Sequence, residues 1–144
     1  FHLHEDSDKP VILVAGGTGF APIKAIIEHA IHHRIKRPLK LYRGARRPAD
    51  LYLNELAEAW QREHGITYIP VLSDAVAEDR WTGRRGLVHD AVIADLPDLS
   101  GYEVYACGAP AMIEAARRDF CARCGLPESA FFADAFTPAV ASSG

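Results

Sequence analysis

The sequence lacks a strong excess of either charge, a long hydrophobic run and more than a few cysteines. Its 16 basic and 19 acidic residues give a net charge of −3, so it has no positive field for holding nucleic acid, and no such partner is expected. The longest uncharged stretch before the C-terminal residues, 10–23, is too short to span a bilayer and contains three glycines, so no membrane span is expected. Three cysteines in 144 residues are typical of a reducing compartment, which predicts a cytoplasmic protein.

Metal-ligating patterns are weak. Cys121 and Cys124 form a Cys-x-x-Cys pair at the end of a predicted helix, whereas a zinc site needs further ligands and a redox pair is expected at a helix N-terminus. His29, His32 and His33 cluster near the end of another predicted helix, where cationic side chains are common. No metal site is therefore predicted.

The remaining composition is that of an ordinary globular domain, with 49% hydrophobic and 24% charged residues. Apolar runs that end in turn residues predict strands at 11–15, 39–42, 66–72, 103–107 and 130–133. Helical periodicity predicts helices at 21–35, at 51–64 with Asp50 as N-cap, and at 110–124. Residues 86–93 fit a strand or a short helix, and helix is favoured. This alternation predicts one α/β domain: a doubly wound, five-stranded parallel sheet flanked by helices.

A glycine-rich turn joins the first strand to the first helix. Residues 16–22 read Gly-Gly-Thr-Gly-Phe-Ala-Pro, and such a turn lets backbone N–H groups at a helix N-terminus approach a phosphate. A tight turn alone would also favour glycine, but the placement favours dinucleotide binding. Pro22 occupies the position of the usual third glycine, and 43–47 place arginines where an acidic ribose ligand would follow the second strand. No Gly-Lys-Ser/Thr follows, so the turn is not a Walker loop either.

A second turn of the same kind follows the fourth strand. Residues 107–113 read Cys-Gly-Ala-Pro-Ala-Met-Ile, again a strand, a glycine, a proline and a helix. In a doubly wound sheet, ligands lie at the carboxyl ends of the strands, near the point where the strand order reverses. We therefore expect both turns to border one crevice.

These motifs together resemble the NAD(P)-binding domain of the ferredoxin–NADP reductase family, over essentially the whole chain. The resemblance rests on 16–22, on Gly-Ala-Arg at 44–46 followed by Asp-Leu-Tyr at 50–52, on 107–112 and on Asp-Ala-Phe at 134–136. Within the family, the chain is most similar to the reductase components of CDP-6-deoxyglucoseen reductase, flavin reductase and aromatic-ring oxygenase systems.

The resemblance implies a set of cofactor-binding residues that spans both turns. They are Gly16, Gly17, Thr18, Gly19 and Pro22 around the pyrophosphate, Gly44, Ala45, Arg46 and Ser73 toward the adenosine, and Cys107, Gly108, Ala109, Pro110 and Met112 on the nicotinamide side.

The resemblance implies a catalytic set of four residues near the reacting rings. Thr18 would approach nicotinamide and flavin, Cys107 would lie beside the reacting carbon, Asp134 near the reacting edge of the flavin, and Phe136 would shield the flavin face. Each of the last three also has a plain alternative: a packed strand-end thiol, a solvated carboxylate and a core aromatic residue.

The resemblance implies a reductase that passes a hydride from NAD(P)H to FAD and electrons onward to an iron–sulfur centre. Arg46 and Arg47 can fork onto a phosphate or stack on adenine, so they permit NADH or NADPH. The reductase branch that this chain most resembles mostly uses NADH, so NADH is the favoured cofactor. A nucleotide-binding or partner-docking module without a redox role is the alternative; an ordinary Rossmann dehydrogenase is disfavoured by the missing third glycine and acidic ribose ligand.

The chain starts at Phe1 and not at Met, and residues 1–4 alternate apolar and polar like a strand end. We expect 1–9 to be the end of an upstream FAD domain and a linker, 10–138 the NAD(P)-binding domain and 139–144 a tail. The 144 residues contain neither the Arg-x-Tyr-Ser/Thr motif of an FAD barrel nor a cysteine set for a [2Fe–2S] cluster. The expected partners are therefore an FAD-binding domain of the same polypeptide and an electron-acceptor protein or iron–sulfur domain, and this chain alone should bind nucleotide without turnover.

Overall fold

The computed structural model describes residues 1–135, along which strands and helices alternate. Their bounds are β1 Val11–Gly16, α1 Phe20–His32, β2 Leu39–Ala45, α2 Asn54–His64, β3 Thr67–Leu72, β4 Arg84–Arg85, α3 Val88–Asp95, β5 Glu103–Gly108, α4 Pro110–Cys124 and β6 Phe131–Ala135.

The strands form one parallel sheet in the order β4-β3-β2-β1-β5-β6. The chain moves outward from β1 through β2, β3 and β4, then returns to the other side of β1 for β5 and β6, so the strand order reverses between β1 and β5. This confirms the doubly wound α/β prediction, with one correction: the sheet has six strands. The additional strand, β4, has only two residues, both arginine, and pairs with Val71 and Leu72.

Two apolar cores cover the two faces of the sheet. One joins α1 and α2 to alternate residues of the central strands, such as Leu13 and Leu41. The other joins α3 and α4 to the intervening residues, such as Val14 and Val104. Because β1 is buried on both faces, its sequence is a continuous apolar run and not an alternating one.

Two helix boundaries differ from the prediction by three residues. The first helix ends at His32, because Arg34 adopts a left-handed backbone with φ 52°. The second begins at Asn54, so Asp50 as its N-cap was wrong. Instead, Asp50 Oδ2 accepts a hydrogen bond from the backbone N–H of Arg47 at 3.1 Å, which closes a short 3-10 turn. The ambiguous segment 86–93 is largely helical, as favoured, with α3 beginning at Val88 and ending at Asp95.

The first ten residues contain no strand, although a strand end was predicted there, and they pack on the domain. Arg37 donates to the backbone oxygens of His4 at 2.7 Å and Lys9 at 2.8 Å, and to Glu103 Oε1 at 2.7 Å. Leu3 is buried. Arg37 therefore ties this segment to the first residue of β5. None of the helices within 1–135 is long and apolar enough to cross a membrane.

Candidate functional site

A cleft of about 690 Å³ lies at the carboxyl ends of the central strands. The turns after β1, β2, β3 and β5 border it, together with the start of α3. Its lining residues are Gly16, Gly17, Thr18, Gly44, Ala45, Arg46, Asp50, Tyr52, Val71, Ser73, Gly86, Leu87, Val88, Ala109 and Met112. The two glycine turns thus border one crevice at the reversal of strand order, as the sequence predicted.

The turn after β1 requires glycine at two positions for different reasons. Gly17 has a positive φ of 42° in open space, a backbone conformation that other residues adopt at a cost. Gly19 lies so close to β5 that a Cβ there would overlap the backbone oxygen of Cys107 and lie 2.9 Å from the nitrogen of Gly108. The turn is therefore exposed toward the cleft at Gly17 and pressed against β5 at Gly19.

Three helix N-termini near the cleft have no side-chain cap. The N-cap residues of α1, α3 and α4 are Gly19, Leu87 and Ala109, and none makes a side-chain capping bond. The first turns of α1 and α4 contain no acidic residue. Unpaired N–H groups and the positive end of a helix dipole attract anions. This edge of the sheet is therefore suited to a phosphorylated ligand.

Met112 connects the two glycine turns. A Cβ added at Gly16 would lie 2.9 Å from the Met112 methyl carbon, and one added at Gly108 would lie 2.6 Å from it. The methionine side chain thus packs on the backbone of both turns and forms an apolar part of the cleft wall.

The arginines after β2 differ in their freedom. Arg46 lines the cleft with an 81% exposed side chain, and its Nε lies 3.3 Å from Asp74 Oδ2. Arg47 makes two hydrogen bonds to Asp79, at 3.2 and 2.8 Å. The Arg47 guanidinium holds the pKa of Asp79 below its usual value. Arg46 alone of this pair therefore faces the cleft.

The predicted cofactor-binding residues divide into two groups. Those that line the cleft are Gly16, Gly17, Thr18, Gly44, Ala45, Arg46, Ser73, Ala109 and Met112. Those that do not are Gly19, Pro22, Cys107, Gly108 and Pro110, and Asp134 of the predicted catalytic set is also absent from the lining. Phe136 lies outside the described residues. The roles assigned to all of them stay predictions.

Cys107 is fully buried in the core between the sheet and α1. Burial, assisted by the nearby negative charge of Asp134, raises the pKa of its thiol to about 11. Asp134 lies opposite Cys107 in the β5–β6 register. The thiol is therefore neutral near pH 7, and nucleophilic chemistry is not favoured at this position.

Sequence reasoning missed the part of the cleft that follows β3 and the second-strand turn. Six lining residues had been given no binding role, namely Asp50, Tyr52, Val71, Gly86, Leu87 and Val88, although 50–52 carried part of the family resemblance. The sequence did contain one local signal, Gly86, which is a third glycine placed between a strand and a helix. In the structure its φ is 110°. The preceding strand has only two polar residues, so no apolar pattern marked it.

Outside the cleft lining, His89, Asp90 and Asp119 have potential metal-ligand atoms within 4.8 Å of one another. His89 Nε2 lies 3.3 Å from Asp119 Oδ2 and 3.5 Å from Asp90 Oδ1, and Arg118 Nε donates to Asp119 Oδ1 at 3.2 Å. The positive charge of Arg118 already compensates this carboxylate, and the contacts join α3 to α4.

Residues 13–118 match the family described as the oxidoreductase NAD-binding domain. The chain is 45% identical over 139 residues to CDP-6-deoxy-L-threo-D-glycero-4-hexulose-3-dehydrase reductase of Yersinia pestis, covering 96% of this chain and 41% of that protein. It is 36% identical over 135 residues to NAD(P)H-flavin reductase of Aliivibrio fischeri, covering 93% and 56% respectively.

Among solved structures, the chain is similar to the Amycolatopsis cytochrome P450 reductase GcoB. The TM-score is 0.79 at 36% sequence identity, over 94% of this chain and 40% of that chain. This chain therefore spans only part of the length of these relatives, 41% and 56% for the two reductases.

Proposed function

Since the chain belongs to the oxidoreductase NAD-binding domain family, we propose that its cleft binds NAD(P)H and presents the nicotinamide to a flavin held by a separate domain. The family resemblance seen in the motifs is confirmed by the names of the relatives, a dehydrase reductase, a flavin reductase and a cytochrome P450 reductase. The observation that carries the proposal is the meeting of the β1 and β5 glycine turns at one cleft.

The turn after β1 fits a pyrophosphate. Gly17 and Thr18 are exposed in the cleft, and the uncapped N-terminus of α1 follows immediately. Backbone N–H groups at such a place bind phosphate oxygens without a basic side chain in contact. The open space around Gly17 allows close approach of a ligand to the backbone.

The two ends of a dinucleotide would extend to opposite sides of this turn. Toward β2 and β3 the wall contains Arg46, Tyr52 and Ser73, which suit an adenosine through stacking and hydrogen bonds. Toward β5 the wall contains Ala109 and Met112, which are small or apolar and leave room for the nicotinamide and a facing flavin.

When bound, NAD(P)H supplies the hydride for flavin reduction. The residues of this chain hold and orient the dinucleotide, because a fixed geometry at near-attack distance is the main requirement of such a transfer. Cys107 keeps its proton, since burial raises the pKa of its thiol, and contributes a small neutral side chain beneath the β5 turn.

We propose NADH as the preferred cofactor. NADPH differs from NADH by a 2′-phosphate, which, like the phosphate of a phosphorylated side chain, adds about two negative charges. Of the two arginines after β2, Arg47 is bound to Asp79 and Arg46 alone faces the cleft. Asp50 also lines the cleft and Asp74 lies beside Arg46. These carboxylates would repel the added phosphate.

We further propose that the polypeptide includes the FAD-binding domain, as predicted for the residues upstream of Pro10. The flavin would accept two electrons and pass them singly to an acceptor protein or domain, a [2Fe–2S] centre being the expected kind. The three cysteines are free thiols, which supports the proposed cytoplasmic location.

Calorimetric titration of the 144-residue chain tests the binding step. NADH should bind, NADPH should bind about tenfold more weakly, and Thr18→Glu should weaken NADH binding by more than about tenfold because it places a negative charge beside the pyrophosphate. Thr67→Glu is the matched control: it makes the same change at an exposed residue at the opposite end of the sheet. The proposal fails if wild type shows no binding, or if both variants bind NADH equally.

A further inference from the structure

Arg43 is one of the largest fully buried side chains in the domain, with only 1% of its surface exposed. It lies on β2, two residues after Leu41, so the alternation of the strand directs it toward the core that contains α1 and α2. This position would ordinarily hold an apolar side chain.

The guanidinium has no compensating charge in the described part of the chain. Nη1 and Nη2 have no hydrogen-bond partner, and no carboxylate oxygen of 1–135 lies within 4.0 Å. The Tyr68 hydroxyl donates to Asn54 Oδ1 at 2.6 Å, and its oxygen is the polar neighbour of the Arg43 guanidinium, which acts to lower the pKa of Tyr68; a phenol oxygen supplies no compensating charge. Burial raises the pKa of Tyr68 although Arg43 opposes that rise, so this neighbour is a neutral phenol. An unpaired buried charge is costly to a fold.

Two aromatic rings that belong to the cleft region surround the guanidinium. Its Cζ lies 3.9 Å from the ring centroid of Phe20 and 5.0 Å from that of Tyr52. Phe20 is the first residue of α1, directly after the turn at 17–19, and Tyr52 lines the cleft. Cation–π contacts offset part of the cost but supply no negative charge. The positive charge therefore lies behind the cleft wall, beneath the turn proposed to hold the pyrophosphate.

We propose that Arg43 is a positioning residue for the dinucleotide: its uncompensated buried charge attracts the phosphates to the turn at 17–19 without touching them. The inference rests on the proposed function. A charge inside the protein acts through a lower dielectric than water and is screened little by salt. Arg46, which is 81% exposed, contributes an attraction that salt does screen. The retained charge thus lowers the stability of the free domain and raises its affinity for anionic ligands.

The test compares ADP with adenosine, which lacks the phosphates, as calorimetric probes of wild type and Arg43→Met. We expect Arg43→Met to weaken ADP binding about tenfold at low and at high salt, to leave adenosine binding unchanged, and to keep or raise the thermal midpoint. Arg62→Met, which removes one positive charge from a 68% exposed side chain on α2, is the matched control and should change none of these values.

A purely structural role for Arg43 would lower the thermal midpoint and weaken both ligands together, which would overturn the inference. Equal ADP binding by wild type and a folded Arg43→Met would overturn it as well. Arg43→Gln serves as a second variant; if neither variant folds, the charge is required by the fold and the inference is wrong. If wild type binds neither ADP nor NADH, the proposed function itself has failed.

Discussion

The backbone of Gly19 lies against the backbone of Cys107, with no room for a side chain between them. Gly19 ends the turn that follows β1, and Cys107 is the next-to-last residue of β5. This contact holds the first glycine turn against the second, and so it sets the shape of the cleft between them.

Gly19→Ala should therefore destabilise the domain by about 3 kcal/mol, the upper part of the usual range for overpacking a core. Urea unfolding measures the loss. Gly101→Ala is the control, because a Cβ at that turn meets nothing within 4 Å, and it should change the free energy of unfolding by less than about 0.5 kcal/mol. Similar losses in both variants would show that the close contact is not what requires glycine.

The buried ion pair of Arg37 and Glu103 gives a second prediction. The pair is 2.7 Å long, with side chains 6% and 12% exposed. Glu103→Gln removes one partner and leaves the guanidinium charge buried, which should cost about 3 kcal/mol of unfolding free energy.

Residues 1–9 should also become sensitive to limited proteolysis, because Arg37 holds His4 and Lys9. Glu63→Gln is the matched control, since its contact with Arg62 is 3.6 Å long and both side chains are exposed, and it should cost less than about 0.5 kcal/mol. Equal proteolysis of the two variants would contradict this account of the N-terminal segment.

The fold could be predicted from the sequence wherever buried residues produce a recognisable hydrophobic pattern. The continuous apolar run of β1, the helical periodicity of α1 and the glycines after β1 and β5 predicted the topology and the position of the cleft. These features are local, because each depends on residues within one element and its following turn.

The features that the sequence did not predict depend on tertiary contacts, which leave no pattern in the local sequence. β4 consists of two arginines and is defined by its pairing with the edge of β3, so no apolar run marks it. Asp50 was predicted to cap a helix, yet its side chain binds the backbone of Arg47 and leaves Tyr52 on the cleft wall. The polarity of Arg43 suggests an exposed side chain, but the alternation of β2 buries it.

The carboxylate of Asp95 predicts how stability depends on pH. It accepts hydrogen bonds from Tyr42 at 2.7 Å and Arg84 at 2.9 Å, and the Arg84 guanidinium lowers its pKa. The folded-state pKa lies below the unfolded value, so this stabilisation is complete above the unfolded pKa and is lost as the pH falls through the folded one.

Asp95→Asn should accordingly cost about 1 kcal/mol near neutral pH, and less at an acid pH where the Asp95 carboxyl of the folded protein is largely protonated. Unfolding by urea at both pH values measures the difference. Asp8, an exposed residue without an ion pair in 1–135, provides the control variant Asp8→Asn. A cost for Asp95→Asn that does not change with pH would contradict the assignment.

The cysteines should differ in reactivity. Cys107 and Cys124 are buried and Cys121 is partly exposed, while burial raises the pKa of Cys107 to about 11. Iodoacetamide at about pH 8 should therefore modify Cys121 first and Cys107 only after unfolding in urea. Mass spectrometry of digested samples gives the order. Rapid native modification of Cys107 would mean that its thiol faces the cleft and is ionised more readily than its surroundings imply.

The most direct test of the central claim is to locate NADH on the domain by titrating the isotope-labelled chain and following backbone amide signals by NMR. We predict shifts at Gly17, Thr18, Gly44 and Ala109, around the cleft at the carboxyl ends of the strands. The signals around a second cavity of about 470 Å³, lined by residues that include Leu39 and Ile66, should be unaffected. Shifts centred on that second cavity, or no shifts at saturating NADH, would contradict the account.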